Sequence, residues 1–314
     1  MRTGYLILAA AIVIAFWRLE PPAPKPVDAP ADVFSATRAF ADIEAIAQRP
    51  HPVGSAEHEV VKTYLVQRLT TMGLAPQLQS ERATVDGFAH SIISAPITNI
   101  TAILKGKDSS LPALLVISHY DSAPDSPGAA DDSAGVASSL EIARALKAGP
   151  TPLRDVVFLL SDGEELGLVG ATAFFRDNPL ASHIGAVINF EARGDAGLAV
   201  MFETGPKNAD TVSLWAAKVS RPSANSLSRA IYQRMPNGTD FTPATAHGLP
   251  GLNFAFIGDE AAYHSPLATP AHLTLGSVQD MGEAGIAAAR AFAETIPAQE
   301  SDSSYSDILG LFTI

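Results

Sequence analysis

Apolar residues along the chain fall into two rhythms. Short unbroken runs occur at Pro112-Ala-Leu-Leu-Val-Ile-Ser118, Asp155-Val-Val-Phe-Leu-Leu-Ser161, Gly185-Ala-Val-Ile-Asn-Phe190 and Gly251-Leu-Asn-Phe-Ala-Phe-Ile257. Runs of this length read as strands buried on both faces. Between them, apolar positions recur every three or four residues over Phe34 to Gln48, Glu57 to Met72, Ser133 to Leu146, Asp210 to Val219 and Gly276 to Thr295. A further helix is expected to begin near Glu165, continue through Ala171 to Asp177 and close at Pro179. The alternation predicts an α/β fold, one domain with a mixed, mostly parallel sheet flanked by helices. Asn99 to Lys105 reads as a strand that turns through Gly-Lys-Asp into the first run, the two forming an antiparallel edge; Leu198 to Glu203 reads as one more strand. Arg221 to Asp240, rich in Ser, Asn, Pro and Gly, is an irregular stretch and a candidate rim for a substrate pocket.

Chemistry gathers where the runs end. The first gives way to His119-Tyr-Asp121, and the helix after it opens behind Asp131-Asp132-Ser133, with Asp132 or Ser133 suited to the N-cap. The second ends in Asp162-Gly163-Glu164-Glu165, where adjacent carboxylates repel each other and lose hydration unless cations or protons offset them. The third ends in Glu191, and the fourth leads to Tyr263-His264. Four strand ends thus deliver imidazole and carboxylate donors to one edge, the carboxyl edge where open α/β sheets place their sites. Nitrogen and oxygen donors without a thiolate suit Zn²⁺ or a similar divalent ion.

His-x-Asp, then Gly-x-x-Asp-Asp-x-Ala-Gly, Asp-Gly-Glu-Glu-x-Gly-Leu, a single acid and Tyr-His resemble, in that order, the co-catalytic di-zinc aminopeptidases. That family includes aminopeptidase S, aminopeptidase Y and the Fxna-type metallopeptidases of the endoplasmic reticulum. The resemblance covers about residues 33 to 297, and Pro50-His-Pro-Val-Gly-Ser55 and Ile188-Asn-Phe-Glu-Ala-Arg-Gly194 are phrased most like the Fxna-type branch. It implies a zinc-exopeptidase domain in which Asp131 bridges two Zn²⁺, His119 and Glu191 complete one site, and Glu165 and His264 the other. It also implies a cis bond between Asp131 and Asp132. Glu164, left without a metal, is then the general base. Tyr263, matching a tyrosine beside the last ligand in relatives, would donate to the developing oxyanion. Asp121, two residues from His119, is placed to hold the other imidazole nitrogen. Two departures stand out: relatives often carry Asp where Glu191 stands, and no acidic residue precedes Thr269-Pro270.

Arg193 and Asp240 lie near site-forming segments and are candidates for holding a substrate terminus. His51 and His58 are expected at helix ends or on the surface, while His90, His183, His247 and His272 fall outside every motif. Trp215 sits in a helical apolar pattern and is expected in the core.

The chain has 314 residues, a net charge of −12 and no cysteine. The acidity disfavours nucleic acid, and disulfides and thiolate zinc sites are excluded. Tyr5 to Trp17 is an apolar run behind Arg2, shorter than the roughly 20 residues of a full span, so residues 1–19 read as a signal anchor or signal peptide. Residues 20–32 carry five prolines and read as an extended tether, residues 33–297 as the peptidase domain and 298–314 as a tail. The expected protein is an aminopeptidase acting on peptides, anchored in a membrane or exported, on the non-cytoplasmic side (periplasm or lumen). Two other readings are a glutaminyl-cyclase-like acyltransferase, which shares the fold but uses one zinc, and a non-catalytic binding ectodomain. The Ser-Ala-Gly after Asp131-Asp132 and the full set of ligands plus base favour the peptidase. Nothing in the pattern specifies an oligomer.

Overall fold

The computed structural model of the protein describes Tyr5, Val13 and residues 18–87, 91–308 and 310. Most of the apolar run Tyr5 to Trp17, with the anchor expected there, lies outside the described residues, as does His90. Among the described residues no helix is long and apolar enough to cross a membrane.

Two helices lead: α1 (Ala36–Ile46), whose N-cap Ser35 accepts from the Arg38 amide, and α2 (Ala56–Thr71), capped likewise by Ser55 on His58. Next come β1 (Gln77–Asp86), β2 (Ile92–Leu104) and β3 (Ala113–His119), then α3 (Ser133–Ala148), capped by the Asp132 carboxylate on the Gly135 amide. The chain continues through β4 (Val156–Ser161), α4 (Val169–Asp177), β5 (Ile184–Ala192) and β6 (Val200–Thr204). It then forms the short helices α5 (Ala209–Ala216), α6 (Ser226–Tyr232) and α7 (Phe241–Ala246), strand β7 (Gly251–Phe256) and the closing helix α8 (Leu275–Glu294).

One seven-stranded sheet carries the order β1-β2-β4-β3-β5-β7-β6. The middle four strands are parallel, and β1, β2 and β6 run antiparallel to their neighbours. The four apolar runs are these central strands, and every residue of β3, β4 and β7 is buried. Alternation across the pleat sends Leu114, Val116, Val156 and Phe158 into the core beneath α1, α3 and α8. Leu115, Ile117, Val157 and Leu159 point to the opposite core with Phe174 and Phe241. Trp215 is buried, as expected, and donates to the Ala284 carbonyl.

Three expectations are corrected. The 99–105 strand belongs to β2, which pairs with β1 and β4, not with β3; both edges of β3 are already taken by β4 and β5. The helix expected near Glu165 starts at Val169, because Gly163 (φ 72°), Gly167 (φ 118°) and Leu168 (φ 61°) take left-handed turns that no helix admits. The proline-rich stretch is extended but fastened: Lys25 N donates to Gln279 and Ser35 Oγ to the Lys25 carbonyl, while Arg38 Nη1 reaches the carbonyls of Val27 and Ala29. The segment beyond residue 297 is held too, through the Ser226 amide on the Tyr305 carbonyl and an Asn225–Ser306 bridge.

Candidate metal centre

The central strands deliver their donors side by side because they are parallel and adjacent. His119 ends β3, Glu164 and Glu165 follow β4, Glu191 is the penultimate residue of β5, and the segment after β7 brings Tyr263 and His264. Asp131 enters from just ahead of α3, and the Asp131–Asp132 bond is cis.

Asp131 is the pivot. His119 Nε2 lies 3.1 Å from its Oδ1, and His264 Nε2 lies 3.1 Å from its Oδ2 and 3.0 Å from Glu165 Oε1. Donor atoms of His119, Asp131 and Glu191 all fall within 4.8 Å of one another, and so do those of Asp131, Glu165 and His264. Two three-donor sets therefore share one carboxylate. Glu164 completes neither set; its Oε2 is 3.9 Å from His119 Nε2 and its side chain faces the cavity.

Charge is crowded here. Burial pushes Glu164 and Glu191 well above the usual carboxylate range, and neighbouring acids push in the same direction. Burial and the nearby Asp131 also raise Glu165. Burial would raise Asp131 as well, but hydrogen bonds from His119 and His264 overcome it and hold the group at about 2. Burial works against a charge on His264, yet Asp131 and Glu165 hold it up to about 10. Imidazolium protons thus stand between carboxylates where a cation would serve the same purpose. The donor set, all N and O, fits zinc.

Asp121 does more than was expected of it. His119 Nδ1 donates to the Asp121 backbone carbonyl at 3.0 Å, with the carboxylate at 3.5 Å. That carboxylate also accepts the backbone amides of Glu164 (3.0 Å) and Glu165 (3.2 Å), fixing the loop that carries both. Asp240 is corrected outright: it is fully buried, its carboxylate accepts from Ser161 Oγ, and it does not line the cavity, so no substrate terminus reaches it. Arg193 does line the cavity, its guanidinium 5.4 Å from the centre of the Tyr263 ring. Tyr263 in turn stacks on His264 with 3.8 Å between ring centres.

His51 and His58 are buried rather than on the surface, and His58 lies in the first turn of α2, a helix end as expected. His58 Nε2 meets Asp162 Oδ1 at 2.8 Å, and Asp162 Oδ2 accepts the Thr98 amide, which anchors the strand end just ahead of Glu164. No local pattern marks that long-range pair. Asn189 was also missed: its Nδ2 donates to Glu191 Oε1 at 3.2 Å and to Asn253 Oδ1 at 3.0 Å. Its place two residues before Glu191, on the same face of β5, was the available signal.

Beside the donors opens a cavity of about 470 Å³. Val200, Phe202, Ile231, Tyr232, Met235 and Ile257 form its apolar wall, so the 221–240 stretch does border it, although it is not irregular throughout as expected: Ser226–Tyr232 is helix α6, which carries Ile231 and Tyr232.

A mostly parallel sheet with paired His/carboxylate donor sets at its carboxyl edge defines a zinc-peptidase-type domain. The chain belongs to peptidase family M28, whose sequence profile matches residues 99–289. It is 33% identical over 307 residues to endoplasmic reticulum metallopeptidase 1 of Rattus norvegicus, covering 90% of this chain and 34% of the rat protein. It is 31% identical over 297 residues to a vacuolar membrane protease of Lachancea thermotolerans, covering 87% of this chain and 30% of that protein. The chain thus spans about a third of the length of these relatives. The fold matches a zinc aminopeptidase from Bacillus subtilis with TM-score 0.69 at 14% identity, covering 89% of this chain and 98% of the other.

Proposed function

We propose that the protein is a two-zinc aminopeptidase acting on peptides, with His119, Asp131 and Glu191 holding one ion and Asp131, Glu165 and His264 the other. The observation that carries this reading is the pair of donor sets sharing Asp131, with a further carboxylate, Glu164, facing the cavity uncommitted. Bound zinc would supply Lewis acidity, lowering the pKa of water toward neutrality and polarising the scissile carbonyl. Glu164 takes the proton of the attacking water as its oxygen adds to the carbonyl carbon, then passes that proton to the amine as the C–N bond breaks. Burial raises its proton affinity, the direction that suits a carboxylate which must take up a proton before returning it. Asp121 holds the Glu164 loop in place, and Tyr263 donates to the oxyanion. Acids along the cavity floor attract a free α-ammonium and disfavour a carboxylate there.

The relatives named above motivate a location at a membrane, on its non-cytoplasmic side, with the N-terminal apolar run as the attachment. Metal analysis of the zinc-saturated protein is expected to give two ions per chain; one ion would turn the assignment toward the single-zinc cyclase chemistry. N-acetylation of a good peptide substrate is expected to lower kcat/KM at least about tenfold. Equal cleavage of the acetylated peptide, or release of residues from the C-terminus, would overturn the aminopeptidase direction.

A further inference from the structure

Building on the peptidase reading, we propose that Arg193 receives the free carboxylate of a short substrate, so that the enzyme favours dipeptides over longer or C-terminally blocked peptides. The charged lining of the cavity is polarised. Asp131, Glu164, Glu191 and Glu260 are its acids, and Arg193 is the one lysine or arginine among its lining residues. Arg193 is an exposed residue and, among the described residues, has no ion-pair partner; its guanidinium lies over the ring of Tyr263. Stacking on an aromatic ring leaves the edge N–H groups free to form a fork with a carboxylate.

Spacing favours the same substrate. Tyr263 is in contact with both Arg193 and His264, with 5.4 Å from guanidinium to ring centre and 3.8 Å from that ring to the imidazole. An extended dipeptide spans roughly 7 Å, at 3.3–3.6 Å per residue. A substrate with its ammonium toward the acids and its scissile bond beside His264 therefore brings its carboxylate within reach of Arg193. A longer chain carries its terminal carboxylate past that point, and an amidated one offers no charge to pair.

The test uses the zinc-loaded full chain with Leu-Gly and its C-terminal amide. The wild type is expected to favour the free acid in kcat/KM by at least about tenfold. Arg193→Ala should bring that ratio close to one, chiefly through KM for the free acid, since the lost contact is made before and during reaction alike. Arg193→Lys, which keeps the charge but not the planar fork, should fall between. A wild-type ratio near one, or a ratio that survives Arg193→Ala, overturns the proposal and leaves the peptidase reading standing. Hydrolysis of neither compound overturns both.

Discussion

On the face of the sheet covered by α1, α3 and α8, Glu141 of α3 is 3% exposed and Asp42 of α1 is 2% exposed, and arginines meet both. Glu141 accepts from Arg38 Nε at 2.8 Å, from Arg144 Nε at 2.6 Å and from the Ser35 amide. Asp42 accepts from Arg68 Nε at 2.7 Å and from the Tyr64 hydroxyl. At the strand ends, Asp131 and Glu191 are 7% and 8% exposed, and their neighbours are imidazoles, an asparagine and more acids. Both regions bury negative charge, but only the first supplies fixed cations for it. An acid cluster without arginine or lysine needs its positive charge from outside, and that need separates a binding centre from a structural clasp.

Glu164→Gln should break the comparison's functional side most severely. Loss of acid–base help should lower kcat by roughly 10²–10⁴-fold, with zinc content and unfolding midpoint unchanged. A near-normal kcat would remove Glu164 from the chemistry. Glu165→Gln, by contrast, should lower zinc content, because its carboxylate sits 3.0 Å from His264 Nε2 in a donor set.

Glu141→Ala should do the reverse. It strands Arg38 and Arg144 and frees the Ser35 amide, and breaking a buried ion pair costs about 3–5 kcal/mol. Because Arg38 also grips the carbonyls of Val27 and Ala29, the proline-rich strap should loosen, seen as faster amide exchange over residues 25–33. Turnover per folded molecule should hold. Unchanged urea stability would show that this clasp contributes nothing net.

Chelation addresses the strand ends directly. With zinc at 100–1,000 times its Kd, each bound ion should add roughly 3–4 kcal/mol of stability, lost when the ions are stripped. In the Glu141→Ala protein the same increment should appear on a lower baseline, since the two regions share no partner. Equal stability with and without zinc would mean that imidazolium protons already satisfy the acids.

These regions were unequally legible in the sequence. The four buried strands and their terminal donors could be read because a parallel strand announces itself as an apolar run and its ligands follow immediately. The clasp could not, since Arg38 and Glu141 are 103 positions apart and no local period relates them. A separation of 104 positions likewise hid His58 from Asp162. Asp240 was misplaced for the complementary reason: proximity along the chain to a pocket-lining loop says nothing about which side of that loop a carboxylate takes.

Asp195 belongs to neither region. It is 1% exposed, and among the described residues neither carboxylate oxygen has a hydrogen-bond partner. Burial first, and then the charge of Asp259, push it up to about 6, while His272 pulls the other way. The folded state therefore keeps a proton that the unfolded chain gives up between pH 3.8 and about 6. Stability from this group is present below 3.8 and falls as pH rises through that window. At 1.36 kcal/mol per pKa unit, the loss at neutral pH is on the order of 2–3 kcal/mol. Asp195→Asn removes the titration while keeping the shape. The variant should match the wild type near pH 3.5 and exceed it by that amount at pH 7, with urea unfolding measured in parallel so that pH effects elsewhere cancel. A pH-independent difference between the two proteins would show that something compensates the charge at Asp195, and that this carboxylate is closer in kind to Glu141 than to a buried acid left alone.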